Sequence, residues 1–334
     1  MPGSDYLVQR ERYSASRLQV LADRIATVTS DLDLQGLTII CAGSYARAEA
    51  SEHSDIDLFF TYGQAPAASR PNTNELRLFG RLIDLNAELE YPPFSRDALF
   101  LKTLDANAMR PHLGGPRDDE SNYFTMRMLT LLESRCVFGE ANYEAIVAEF
   151  IDAYCVDAHK HPDDFEPWAL INDIKRYWDT LLLNYENANY RDRTKDPELD
   201  EDPEVERRVR RFKLSFSRAT TCFATIAALA SQGAAHTAES LRTLVELTPR
   251  ARLQKTAENM PKVRGTVEEL MESYSWFLEQ TGRTKEDLRA QLETERDVYR
   301  QKAENYGDLT FDLLKQISDL RDPSRRNLLR YLVV

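Results

Sequence analysis

Two aspartates one residue apart, Asp55 and Asp57, sit in "HSDIDLFF" between apolar runs. No other feature limits the fold so strongly. "LTIICAG", Leu37 to Gly43, is a short β-branched run closed by glycine, and "DIDLFFTYG" is a second apolar run closed by Gly63. Both read as buried strands. Residues i and i+2 of a strand share a face, so the two carboxylates face the same way and repel each other. A divalent cation relieves that conflict: Mg²⁺ takes one or two protein carboxylates and completes its shell with water and phosphate oxygens. Ser44 to Glu49 reads as the first turns of a helix. Gly43 and Ser44 then stand at a helix start, where exposed N–H groups receive phosphate.

The remaining pattern divides the chain in two. Leu18, Leu21, Ile25 and Val28 recur at helical spacing, predicting a helix over about 14–29. The loop "GQAPAASRPNT" leads to a helix carrying Leu76, Phe79, Leu82, Ile83 and Leu85. "ALFLKTL", Ala98 to Leu104, reads as a third strand, "PHLGGPRDDESN" as a loop, and Tyr123 to Phe138 as an apolar helix. From Tyr143 the pattern is almost wholly helical, with helices predicted over about 143–156, 167–189, 203–231, 237–247, 265–280, 284–305 and 308–320. The acidic "RDRTKDPELDEDPE" interrupts them as a solvated loop. The expected architecture is α+β: residues 1–140 form a small mixed sheet with helices, and residues 141–334 an all-α domain, with Gly139 as a helix stop.

Composition narrows the partners. The chain has 334 residues, enough for two cores, and a formal charge of −12. An acidic molecule has no general attraction for nucleic acid or anionic membrane, so phosphate binding must come from a local basic patch. Cys41, Cys136, Cys155 and Cys222 form no CxxC pair and fit buried free thiols of a reducing cytoplasm. No apolar run has transmembrane length, and the first thirty residues carry no signal-peptide core. The expectation is a soluble cytoplasmic protein.

"GSYARAEASEHSDIDLFF" resembles the Gly-Ser…Asp-x-Asp signature of the DNA polymerase β-type nucleotidyltransferase superfamily. Its spacing and "HSDIDL" ending look most like the branch of bacterial PII uridylyltransferases, and "LLESRCVFG" is similar to the helix that follows the catalytic region there. The resemblance implies a template-independent transfer of (d)NMP from a (d)NTP to a hydroxyl, with release of pyrophosphate. Asp55 and Asp57 would hold Mg²⁺ or Mn²⁺, and Gly43, Ser44 and Ser54 would contact the nucleotide. Arg47, one helical turn on, would reach phosphate or stay exposed. The family usually carries a third carboxylate. Asp118, Asp119, Glu120, Glu88 and Glu90 are candidates, with Asp118 or Asp119 preferred and Asp119 taken as the catalytic choice.

The helical half offers further groups. Lys175 and Arg176 precede Tyr177 and Trp178, where they could meet a triphosphate or stack on a base. Arg207, Arg208, Arg210, Arg211, Lys213 and Arg218 crowd one helix, either lining a groove for phosphates or forming a solvated face beside the acidic loop. His53 is a ligand, an acid or a loop residue without a role. Tyr331, after Arg325, Arg326 and Arg330, either docks the last turn or offers a protein-borne hydroxyl as primer. The latter is similar to antiphage nucleotidyltransferases of the Hailong type, which make short DNA oligomers. The acceptor is then an oligonucleotide or a protein, this chain included, and the lean is toward a nucleotide oligomer or signal in phage defence. The competing readings are modification of a partner protein or tRNA end, a non-catalytic nucleotide sensor, and a nucleic-acid scaffold that the charge disfavours.

Overall fold

Strand β1, Leu37–Ala42, is buried at every position. Its β-branched run suits a strand covered on both faces. The computed structural model describes residues 2–63, 73–94, 101–192 and 203–333. In it, β1 is an inner strand of a four-stranded mixed sheet of order β3-β2-β1-β4. Helix α1, Pro2–Val28, precedes β1, and the single turn α2, Gly43–Ala46, follows it. Strand β2, Asp57–Tyr62, runs antiparallel to β1 and sets Asp57 opposite Ala42. Strand β3, Thr103–Asp105, lies parallel to β2. A parallel neighbour needs a crossover, and helix α3, Thr73–Glu88, lies within it. Part of the expected third strand, residues 98–100, lies outside the described residues, as do 64–72 of the Ala/Pro-rich loop and 193–202 of the acidic loop.

One short helix, α5 (Pro116–Glu120), occupies the stretch expected to be a loop, and another, α4 (Ala106–Met109), stands just before it. The expected helix Tyr123–Phe138 is two elements: helix α6, Tyr123–Leu132, and strand β4, Ser134–Phe138. Periodicity cannot separate helix from strand in a short apolar run. Glu133 leaves helical geometry (φ −152°, ψ 51°), and Ser134 then pairs with Ala42 on the second edge of β1. The segment likened to a family helix is therefore mainly sheet. Gly139 closes it at φ +78°, where a Cβ would sit 2.2 Å from the Leu37 carbonyl oxygen. Thr38 Oγ1 donates to the Gly139 carbonyl at 2.7 Å.

Leu21, Ile25, Leu37, Ile39, Leu58 and Phe60 centre the hydrophobic core of this unit. Helix α7, Glu140–Tyr154, buries Ile146, Val147, Phe150 and Ile151 and contacts β1 and β4. It belongs with the sheet. The chain accordingly divides into Pro2–Val156 and Asp157–Val334, later than the expected boundary near residue 140.

The second unit is helical throughout its regular elements: α8 (Trp168–Asp192), α9 (Pro203–Lys213), α10 (Ala219–Ser231), α11 (Ala238–Glu246), α12 (Pro249–Asn259), α13 (Arg264–Gln280), α14 (Lys285–Thr294), α15 (Arg296–Leu320) and α16 (Leu328–Val333). A π-helical segment, Leu214–Arg218, joins α9 to α10. Helix α10 carries Ala224, Ala227, Ala228 and Ala230, all buried, which permit close packing against α12. Arg252 of α12 is fully buried, donating to Thr225 Oγ1 at 2.7 Å and to the carbonyls of Leu244 and Val245. The expected break between residues 305 and 308 is absent. Gly307 lies inside α15, and the interruption falls at Glu295. A helical glycine costs about 1 kcal/mol relative to alanine, which the burial of Tyr299, Tyr306, Leu313 and Ile317 along α15 outweighs.

Candidate functional site

Gly43 has φ +74°, and a Cβ built on it would lie 2.7 Å from Asp57 Oδ2. The glycine therefore serves twice, as the left-handed residue that opens α2 and as the gap that admits a carboxylate. Antiparallel pairing produces the approach, because Asp57 stands directly across from Ala42 at the end of β1. Asp55 lies two residues before Asp57, and buried Ile56 between them anchors the segment. Both aspartates and Ser44 are partly exposed. The Gly-Ser turn and the Asp pair thus meet at one end of the sheet.

The neighbouring polar residues hold this end in shape. Arg10 of α1 donates to the Ala50 carbonyl at 3.0 Å, and the Ala50 N–H donates to Ser14 Oγ at 3.0 Å. Ser54 Oγ accepts from the Ser51 N–H at 3.0 Å, so it orders the turn that delivers Asp55. His53 is about one-third exposed beside Glu52 in the same turn. Tyr45, fully buried, packs edge-on against Tyr91 at 5.6 Å between ring centroids. Burial, reinforced by the Asp57 charge, pushes the Cys41 thiol far above its usual range. Cys41 is therefore a neutral core residue and no nucleophile.

Several expected site residues are engaged elsewhere. Arg47 does not serve as an open phosphate contact: it is buried and pairs with Glu49 at 2.8 Å and with fully buried Glu133. Asp118 is not a metal carboxylate either. It is fully buried, and its two oxygens accept from Arg127 at 2.8 and 2.9 Å. Asp119 and Glu120 are exposed on the same short helix. Glu88 is exposed and pairs with Arg24, and Glu90 sits in a left-handed turn at φ 57°. Among the described residues, no third His, Cys, Asp or Glu joins the Asp pair in a group that could hold a metal.

Lys175, Arg176 and Tyr331 belong to the helical unit. Lys175 Nζ pairs with Asp179 at 2.9 Å, and Arg176 lies 3.8 Å from Asp173. The Tyr331 hydroxyl donates to the Trp168 carbonyl at 3.3 Å, and its ring packs on Trp168 with centroids 4.3 Å apart. Leu328 beside it is fully buried, so the last helix is docked.

The donor set fits a hard divalent cation. Two carboxylates within one residue of each other, at a partly exposed sheet end beside a glycine turn, match an ion that keeps water and phosphate oxygens in its other positions. Sequence reasoning missed Glu133 and Arg127 as buried partners, because nothing local distinguishes a charge with a distant partner from a solvated one. None of the described helices is long and apolar enough to cross a membrane. No family model, curated protein or solved structure matches the chain.

Proposed function

We propose that the Pro2–Val156 unit is a nucleotidyltransferase core of the DNA polymerase β type, moving a nucleotidyl group from a (d)NTP to a hydroxyl acceptor. The observation that supports this reading is the close approach of the Asp57 carboxylate to Gly43, where a Cβ would lie 2.7 Å from Oδ2, so that the Gly-Ser turn and Asp57 stand side by side. Ser44 and the N–H groups opening α2 would receive the terminal phosphates. Asp55 and Asp57 would hold Mg²⁺ or Mn²⁺, which supplies charge neutralisation at the phosphates and lowers the pKa of the attacking hydroxyl. In the transfer, the bond from acceptor oxygen to the α-phosphorus forms and the α–β phosphoanhydride breaks. Pyrophosphate leaves, and the acceptor proton passes to solvent. Catalysis of this kind rests on positioning and electrostatics more than on covalent participation.

The acceptor is a hydroxyl of an oligonucleotide or of a protein, and the favoured product is a short nucleotide oligomer acting as a signal or in defence against phage. The decisive experiment incubates the protein with each α-labelled NTP and dNTP in Mg²⁺, beside a variant carrying Asp55→Ala and Asp57→Ala whose fold is checked by circular dichroism. Incorporation by the parent alone is the expected result; a ladder indicates polymerisation, and label on the protein indicates self-modification. A Tyr331→Phe variant with unaltered initiation would remove Tyr331 as the primer. Equal incorporation by the parent and the double variant would sink the proposal. A second reading, nucleotide binding without transfer, draws on the locked state of Asp118, the preferred third carboxylate. Saturable (d)NTP binding without incorporation would select it.

A further inference from the structure

Within the helical unit, a cavity of about 160 Å³ opens between α9, its π-helical continuation and the start of α15. Arg207, Arg208 and Arg211 line it from the first helix, and Arg296 and Arg300 from the second. Phe212, Tyr185 and Tyr299 contribute aromatic wall. The sequence places three of these arginines on one helix; the fold adds the other two from nearly ninety residues later.

The charge balance of the cavity is one-sided. Among the described residues lining it, Glu304 is the one carboxylate, 3.9 Å from Arg300 Nε. Arg207 pairs with Glu204 at 2.9 Å and Arg300 with Asp297 at 3.3 Å, but both are exposed pairs along one helix, which bind their partners weakly. Among the described residues, Arg208, Arg211 and Arg296 have no ion-pair or hydrogen-bond partner. Gathering five guanidinium groups around a small space costs mutual repulsion. A chain of net charge −12 has carboxylates enough to avoid that cost. Guanidinium forks match phosphate oxygens in two-point hydrogen bonds, and Tyr185, the partly exposed ring of the wall, suits stacking of a planar group.

Ser215, from the π-helical segment, lines the cavity and offers a hydroxyl. Single π turns inside helices recur at functional sites. The volume is below the roughly 300–1,000 Å³ of pockets that enclose a whole drug-sized ligand, so the cavity takes one end of a ligand and leaves the remainder in solvent. A long nucleic acid would also meet the repulsion of a chain of net charge −12.

We infer that this cavity binds the phosphate end of a small polyphosphorylated molecule, of the class of nucleoside triphosphates or inorganic oligophosphates. The inference stands apart from the transferase reading, because none of its residues belongs to the Asp55 and Asp57 site.

The test uses the full chain carrying Asp55→Ala and Asp57→Ala, in EDTA, so that the sheet site contributes no metal-dependent binding. Calorimetric titration with inorganic triphosphate and with ATP is expected to show one saturable site, weakened by added salt. Arg208→Ala and Arg211→Ala should each weaken binding by about tenfold, the scale of a lost charge-assisted hydrogen bond. Arg326→Ala, an exposed arginine outside the cavity, should leave it unchanged. Equal affinity for the two probes would assign recognition to the phosphates alone, and tighter binding of ATP would add base stacking. Circular dichroism of each variant guards against misfolding, and Arg208→Lys, which keeps the charge but loses the fork, should fall between parent and alanine. Absence of saturable binding, or binding indifferent to Arg208 and Arg211, would overturn the inference. So would a single-stranded oligonucleotide that binds more tightly than triphosphate through the same arginines, which would mark a nucleic-acid surface instead.

Discussion

Gly43 and Asp57 are coupled through the space of one missing methyl group. Gly43→Ala would bring a Cβ within 2.7 Å of Asp57 Oδ2 and force a non-glycine residue into φ +74°. The left-handed strain alone costs about 1–3 kcal/mol, so a urea denaturation midpoint should fall accordingly. Asp118 and Asp119 offer a second comparison between neighbours. Asp118→Asn removes the charge facing buried Arg127 and is expected to cost about 3–5 kcal/mol, as broken buried pairs do. Asp119→Asn, on an exposed carboxylate, should stay within about 0.5 kcal/mol. Thermal melts of both variants would check the order. The Gly-Ser and Asp-x-Asp residues were legible in sequence because their spacing is local and they lie between strand signals. Arg47 and Asp118 were not, since their partners, Glu133 and Arg127, are fixed by tertiary packing that no spacing rule encodes.

At the level of elements, α1 begins at Pro2, about twelve residues before the expected start near residue 14, whereas its end, β1, β2 and α3 follow from period and punctuation. Strand β4 does not, because "SRCVF" continues an apolar run without a breaker and becomes a strand only by finding the open edge of β1. The short connection before α11 carries a pH-dependent element that sequence could not reveal. His236 is buried, its Nε2 lies 3.0 Å from the Leu229 carbonyl, and its Nδ1 has no hydrogen-bond partner among the described residues. Burial, together with the positive charges of Arg325 and Arg321, lowers its pKa to about 4 from an ordinary 6.5. The unfolded chain then binds a proton that the folded chain refuses between those values. Stability should therefore decline as pH falls from about 6.5 toward 4, by up to about 3 kcal/mol from this group. Denaturation midpoints at pH 7 and pH 5 would show the slope, and His236→Gln, which keeps a donor for Leu229 without titrating, should flatten it.

On the scale of the whole molecule, the chain divides into two compact units. Residues Asp157–Val334 contain the closely packed α10 and α12, the buried Arg252, and Glu166 held by Arg321 and Arg325. Expressed alone, this segment is expected to give a strongly helical circular dichroism spectrum and a cooperative melt; a non-cooperative melt would refute its independence. The mixed α+β class and the division into a sheet-bearing and a helical part were readable from the change in pattern along the chain. The position of the division was not, because helix α7 looks like its helical successors and is assigned to the sheet only by the face it buries.

The place of β4 beside β1 bears on how the chain is made. Strand β1 emerges early from the ribosome and can pair with β2 soon afterwards, but its other edge waits for Ser134–Phe138. Throughout that interval, the nascent chain carries an apolar strand with one open side, a template for unwanted pairing. Glu133, which arrives with the same stretch, completes the Arg47 pairing at that moment. A ribosome stalled before β4 has left the exit tunnel would hold an adhesive intermediate, whereas one stalled once α7 is outside the tunnel would present a finished sheet.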